Sequence, residues 1–171
     1  AVSSEVRLDL KIVYEPAKAV GADRLANAVA GRELYGAPII IADFGTATTL
    51  DVVSASGEYL GGTIMPGLEL SALSLNEKTA QLPEVKIEVP PKVIGQTTRQ
   101  SIQSGLLWGS VGAVRELTLR IQQELGSGTH LVATGGWAAL VQGASGFFHH
   151  VDPDLTLKGL RLIFLKNRPA V

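Results

Sequence analysis

The chain is 171 residues long, enough to bury a real core in one domain or two small lobes. Hydrophobic residues make up 46% and charged residues 18%, which excludes a disordered chain, and a net charge of −1 with dispersed Lys and Arg argues against a nucleic-acid partner. The lack of Cys excludes disulfides, thiolate zinc sites and a Cys nucleophile, no apolar run approaches a membrane span, and the first residues do not read as a signal peptide.

Residues 1–20 read as extended and turn-like, with LDLKIVY alternating apolar and polar residues until Pro16 breaks the pattern. From Asp23 to Tyr35, Leu25, Ala28, Val29 and Leu34 fall near helical spacing, and Gly36 followed by Pro38 ends that helix. PIIIAD is a β-branched run with no polar side, as expected of a central strand covered on both faces. TTLDVVSASGEYLGGTIMPG predicts two antiparallel strands around a Ser-Ala-Ser-Gly turn. Residues 67–82 carry a helical pattern, and VKIEVPP predicts a short alternating strand. Thr98 to Leu125 is the longest amphipathic helix, with Ile102, Leu106, Val111, Val114, Leu117 and Ile121 near one face. Its Gly105, Gly109 and Gly112 cost helix stability, and close packing against another backbone is the expected reason for them. THLVATGGWAALV then reads as strand, Gly-Gly turn and helix, and FFHHV as a last short strand. DPDLTLKGLRLIFL reads as a final helix with Pro153 in its first turn. These elements predict an α/β domain with a mixed central sheet flanked by helices.

Three stretches carry candidate chemistry. The first is DFGTATT, Asp43 to Thr49. An aspartate ending a buried strand is costly unless a cation or a donor meets it. Gly45 lets the backbone approach a ligand, and Thr46, Thr48 and Thr49 bring hydroxyls and amides to a turn. Such a turn can hold phosphate through N–H groups while Asp43 holds a cation or its water; a polar strand end with a threonine-rich turn is the bland alternative. A protein-kinase magnesium loop is rejected, because the chain has no His-Arg-Asp loop, no Gly-x-Gly-x-x-Gly loop and no Val-Ala-Ile-Lys strand. The second stretch is ATGG, where Gly135 and Gly136 either admit a phosphate or flat ligand against the backbone or simply make a tight turn. The third is VGADR, where Asp23 is either a helix cap or a general base beside a substrate hydroxyl, with Arg24 gripping an anion. His149 and His150 are adjacent in a strand-like segment and point to opposite faces, so a metal shared with Asp152 or Asp154 is not expected. His130 has no special role in this reading.

Taken together and in order, VGADRLANAVAGRELYG, IIIADFGTATTLDVVSASGEYLGGTIMPGLELS, VIGQTT, VATGG and VDPDLTLKGLRLI resemble the type III pantothenate kinases, from about Tyr14 to Ile163. The resemblance implies an actin-like (ribonuclease H-like) ATPase lobe. It implies transfer of the ATP γ-phosphate to the 4′-hydroxyl of pantothenate, the first step of coenzyme A biosynthesis, in the cytoplasm. Asp23 is then the catalytic base. Tyr14, Gly21, Ala22, Asp23, Arg24 and Thr98 are pantothenate contacts, Thr98 reaching across a homodimer interface near the glycine-bearing helix. Asp43 is the ligand of a potassium or ammonium ion, and Gly45, Thr46, Gly135 and Gly136 lie on the side of ATP, which comes with magnesium. The family's Asp-x-Gly-Asn-Thr phosphate loop has no counterpart in residues 1–20. The expected organisation is therefore an inter-lobe segment at 1–20 and a C-terminal lobe at 21–171, without the N-terminal lobe. Two alternatives remain open here: a catalytically silent binding or regulatory protein of the same fold, and a kinase of the same superfamily with another acceptor.

Overall fold

The apolar pattern places the backbone. The strands are β1 (Lys11–Ile12), β2 (Ile39–Phe44), β3 (Ala47–Val53), β4 (Glu58–Pro66), β5 (His130–Thr134) and β6 (His150–Val151). The helices are α1 (Ala22–Tyr35), α2 (Leu68–Lys78), α3 (Thr98–Leu125), α4 (Ala138–Ser145) and α5 (Leu155–Lys166). This computed structural model describes residues 2–79, 82–126 and 128–168. The sheet runs β1-β4-β3-β2-β5-β6. β2 pairs antiparallel with β3 and β3 with β4, whereas β2–β5, β5–β6 and β1–β4 are parallel. The sheet is mixed, as expected, and β2 lies at its centre.

Alternation along β2 divides the core in two. Ile39 and Ile41 face α1 and α5, together with Val53, Tyr59 and Val132. Ile40, Ala42 and Phe44 face the other side with Leu50, Leu131, Leu107, Val114 and Val141. On the first side α1 and α5 cross so closely that a Cβ at Gly159 would overlap the Ala26 carbonyl. Leu8, Leu10 and Val20 join this cluster, and β1 extends the sheet edge beside β4.

Helix ends follow the local chemistry. Gly36, at φ +89°, ends α1 and returns its N–H to Arg32 O. Thr97 caps α3 by accepting the Gln100 N–H at 3.2 Å, and α3 spans the residues the periodicity predicts.

Four expectations need correction. VKIEVPP is not a strand. Side chains of α3 meet this segment instead, Gln103 donating to Lys86 O at 2.9 Å and Arg99 to the preceding Glu84 O at 3.1 Å. FFHHV supplies only the two residues of β6. Pro153 precedes α5, whose cap position is Asp154. Outside the adjoining turns of α3, no atom of the described residues lies within 4 Å of a Cβ built on Gly105, Gly109 or Gly112, so among the described residues no other backbone packs against that stripe. The helix predicted over 67–82 is α2, and residues 80 and 81 lie outside the described residues. Among the described residues no helix is long and apolar enough to cross a membrane.

Candidate active site

β2 and β5 run side by side and end together, Asp43 opposite Thr134. α1 leads into β2 and runs back along it, so its first turn returns to the same edge. The carboxyl ends of parallel strands are where α/β sheets bind ligands. Here that edge gathers Asp23, Asn27, Asp43 and the loops that follow both strands.

Asp43 is half-buried, and its Oδ2 accepts a hydrogen bond from Asn27 Nδ2 at 2.8 Å. Asn27 is fully buried, and its Oδ1 accepts from the Thr156 hydroxyl at 2.7 Å. Burial pushes the Asp43 carboxyl above its ordinary value and the nearby Asp23 charge adds to that push, while the Asn27 donor offsets part of it. The loops close over this aspartate. Gly135 adopts φ +89°, and a Cβ there would stand 2.5 Å from Asp43 Oδ1, so only a glycine permits the approach. Trp137 N–H reaches back to Phe44 O at 3.3 Å, and Gly67 N–H holds Thr46 O at 3.0 Å. The structure therefore brings Asp43, Gly45 and Gly135 together, with Thr46 and Gly136 exposed on the adjoining turns.

Asp23 lies in the first turn of α1 behind Gly21, which occupies the cap position. Its side chain is exposed, and Oδ1 accepts the Arg24 N–H at 2.9 Å. Gly21 and Ala22 are exposed beside it. Arg24 turns inward. Its Nε donates to Asp51 Oδ1 at 2.7 Å, while its Nη2 is buried with no partner among the described residues. Tyr59 donates to the same Asp51 oxygen at 2.7 Å and Thr49 to Oδ2 at 3.1 Å. Burial still pushes the Asp51 carboxyl up to about 6 against all three donors. Tyr14 rests beside this group, its ring centroid 6.4 Å from that of Tyr59.

Thr98 stands apart. It is exposed at the start of α3, and α3 packs against the opposite face of the sheet from α1. The chain by itself does not bring it to Asp23. The histidines have local roles: His149 Nδ1 accepts Leu131 N–H at 3.1 Å, and His150 stacks on Tyr35 with ring centroids 4.7 Å apart. Asp152 holds Tyr35 and Lys158.

Four residues that the sequence reading passed over matter here: Asn27, Asp51, Tyr59 and Thr156. Asn27 follows Asp23 by one helical turn, a spacing that signals a shared face. Asp51 is a carboxylate between Leu50 and Val52 inside an apolar strand, a signal that it needs a buried partner. Tyr59 and Thr156 carry no comparable signal.

One carboxylate, Asp43, lies directly under the Gly135 loop. Among the described residues no three His, Cys, Asp or Glu side chains gather to hold a metal ion. Thr134, across the register from Asp43, adds a buried hydroxyl with no partner among the described residues. A half-buried carboxylate, a close-approach glycine and an exposed aspartate at one strand edge mark a candidate ligand site in an α/β domain.

The comparisons with known proteins specify the family. The type III pantothenate kinase family model matches residues 1–120. A type III pantothenate kinase of Dehalococcoides mccartyi is 48% identical over 167 residues, covering 98% of this chain and 65% of that protein. One from Koribacter versatilis is 47% identical, covering 98% and 61%. The chain belongs to the type III pantothenate kinase family, and it spans less than two thirds of the length of these relatives. A crystal structure of a conserved Baf family protein from Campylobacter jejuni shares the fold, with a TM-score of 0.66 at 21% identity over 92% of this chain and 68% of that one.

Proposed function

We propose that this chain carries the acceptor side of an ATP-dependent pantothenate kinase, acting in the cytoplasm where ATP is held. The observation that carries the reading is the convergence of exposed Asp23 and half-buried Asp43 at one strand edge, in a chain 48% identical to type III pantothenate kinases. Asp23 is the base: it orients the pantothenate 4′-hydroxyl and takes its proton as the hydroxyl oxygen bonds to the γ-phosphorus and ADP leaves. Phosphoryl transfer asks mainly for positioning and charge neutralisation, so one exposed carboxylate suffices on the acceptor side. Gly21, Ala22, Arg24 and Tyr14 form the wall of the acceptor pocket.

Asp43, with Thr134 beside it, would hold a potassium or ammonium ion, which when bound supplies positive charge against the phosphates. Gly45, Thr46, Gly135 and Gly136 line the ATP side, ATP entering with magnesium. A cleft of about 300 Å³ opens beside Trp137, between α2 and residues 84–87, without reaching Asp23 or Asp43.

The fold reading is an actin-like, ribonuclease H-like lobe over residues 21–171, preceded by an inter-lobe segment at 1–20. Support comes from the strand order, in which β3 alone runs against its neighbours. A homodimer would bring Thr98 to a partner's pocket. The open glycine stripe on α3 and the exposed Val93 and Ile94 near its start support that arrangement.

Calorimetric titration of pantothenate into the folded chain tests the reading. Saturable binding that weakens on replacing Tyr14, with the circular dichroism spectrum kept, is the expected result. A folded chain that ignores pantothenate, yet binds another hydroxylated acceptor at the same residues, would overturn the substrate assignment.

A further inference from the structure

Thr156 lies in DPDLTLKGL, a block of the resemblance that the proposed chemistry does not use. The first turn of α5 carries its hydroxyl to Asn27 Oδ1, and Asn27 Nδ2 reaches Asp43 Oδ2. The consecutive elements α1 and β2 thus meet the distant α5 in one short hydrogen-bond relay.

The direction of that relay follows from donor and acceptor chemistry. An ionised carboxylate only accepts, so Asn27 must turn its NH2 group to Asp43. Its carbonyl oxygen then faces Thr156, which must donate. The reversed amide of the buried Asn27 would set an oxygen against the half-buried Asp43 carboxylate. Thr156 therefore locks the orientation of Asn27, and Asn27 locks one oxygen of Asp43. The other oxygen, Oδ1, is the one facing the Gly135 backbone. Asn27 also follows Asp23 by one turn of α1, so the relay fixes Asp43 relative to the helix that carries the proposed base.

We propose that Asn27 and Thr156 are positioning residues: they tie down Asp43 Oδ2 so that Oδ1 is presented to a monovalent cation at the Gly135 loop. The inference rests on the cation reading of Asp43. A plain packing role would ask only that the space be filled, which valine does at position 156 and leucine at 27. A positioning role asks for the hydroxyl and the amide. Outer partners that orient a metal ligand typically matter by tenfold or more in metal affinity.

The test is thallium(I) binding, thallium standing in for potassium, titrated into the chain with ATP present and followed by thallium NMR, with circular dichroism reporting the fold. Asp43→Asn should abolish binding. Thr156→Val should weaken it roughly tenfold, and Asn27→Leu by more. Thr156→Ser, which restores the hydroxyl, should bind as the parent does. Should Asn27→Leu fail to fold, the valine and serine pair at 156 still decides the matter. Parent-like affinity in a folded Thr156→Val, with Asp43→Asn abolishing binding, would overturn the positioning role and leave the cation site standing. Equal weakening in Thr156→Val and Thr156→Ser would likewise assign the effect to packing. Parent binding that survives Asp43→Asn, or no thallium binding by the parent, would remove the cation reading and this inference with it.

Discussion

Asp43 and Asp51 stand on adjacent strands and on the same face of the sheet, yet the chain treats them in opposite ways. Asp51 sits inside β3 with no exposed surface, and three donors meet it: Arg24, Tyr59 and Thr49. Asp43 ends β2, half-buried, with the neutral Asn27 as its hydrogen-bond partner and Asp23 as a like-charged neighbour. Asp51 is matched by a cation of its own chain. Asp43 has no such cation among the described residues, although burial acts on both in the same direction. A buried carboxylate with an internal counterion is part of the framework. A partly buried one beside a second carboxylate is an unbalanced charge, and an incoming cation can balance it.

The contrast can be broken at either aspartate. The largest expected effect is on chemistry at the open edge. On the proposed function, Asp23→Asn should lower whatever pantothenate-dependent ATP turnover the parent shows by about 10²–10⁴-fold while the circular dichroism spectrum is kept; undiminished turnover would end the general-base role. Next comes stability at the closed site. Asp51→Ala strands the Arg24 guanidinium and should cost roughly 3–5 kcal/mol in urea unfolding. Asp43→Asn should stay within about 1 kcal/mol of the parent, or exceed it, because it removes an unmatched charge. Equal losses at the two positions would erase the distinction.

A pH series sharpens the same point. The Asp51 carboxyl rises from 3.8 to about 6 in the folded chain. Folding therefore favours its protonated form, and that contribution is full below the ordinary value and fades as pH rises through about 6. Asp43, also raised, acts in the same sense. Between these values the parent should lose stability that Asp51→Asn retains, and parallel curves would contradict the burial account. The smallest effect lies away from both aspartates: Thr97→Ala removes the α3 cap and should cost about 1 kcal/mol by thermal unfolding.

Much of the framework was legible in the residues. Period and punctuation located α1, β2, the β3–β4 hairpin and α3, because amphipathic helices and doubly buried strands write their burial into the order of side chains. VKIEVPP misled for a physical reason: alternation marks a strand only if a neighbouring strand takes its backbone groups, and here the Gln103 side chain takes Lys86 O instead. Asp23, Asp43 and the TGG turn were readable as motifs because each is a local stretch of chain.

The partnerships were another matter. By itself the sequence determined an α/β chain of the type III pantothenate kinase family, with acidic residues and glycines at loop positions where ligands are met. Only the tertiary structure decided that Arg24 turns inward to Asp51, that Asn27 holds Asp43, and that Thr156, 129 residues from Asn27, orients that amide. The reason is physical. Secondary structure answers to neighbours a few residues away, whereas a buried polar group must find its partner wherever the packed helices and strands bring one within about 3 Å.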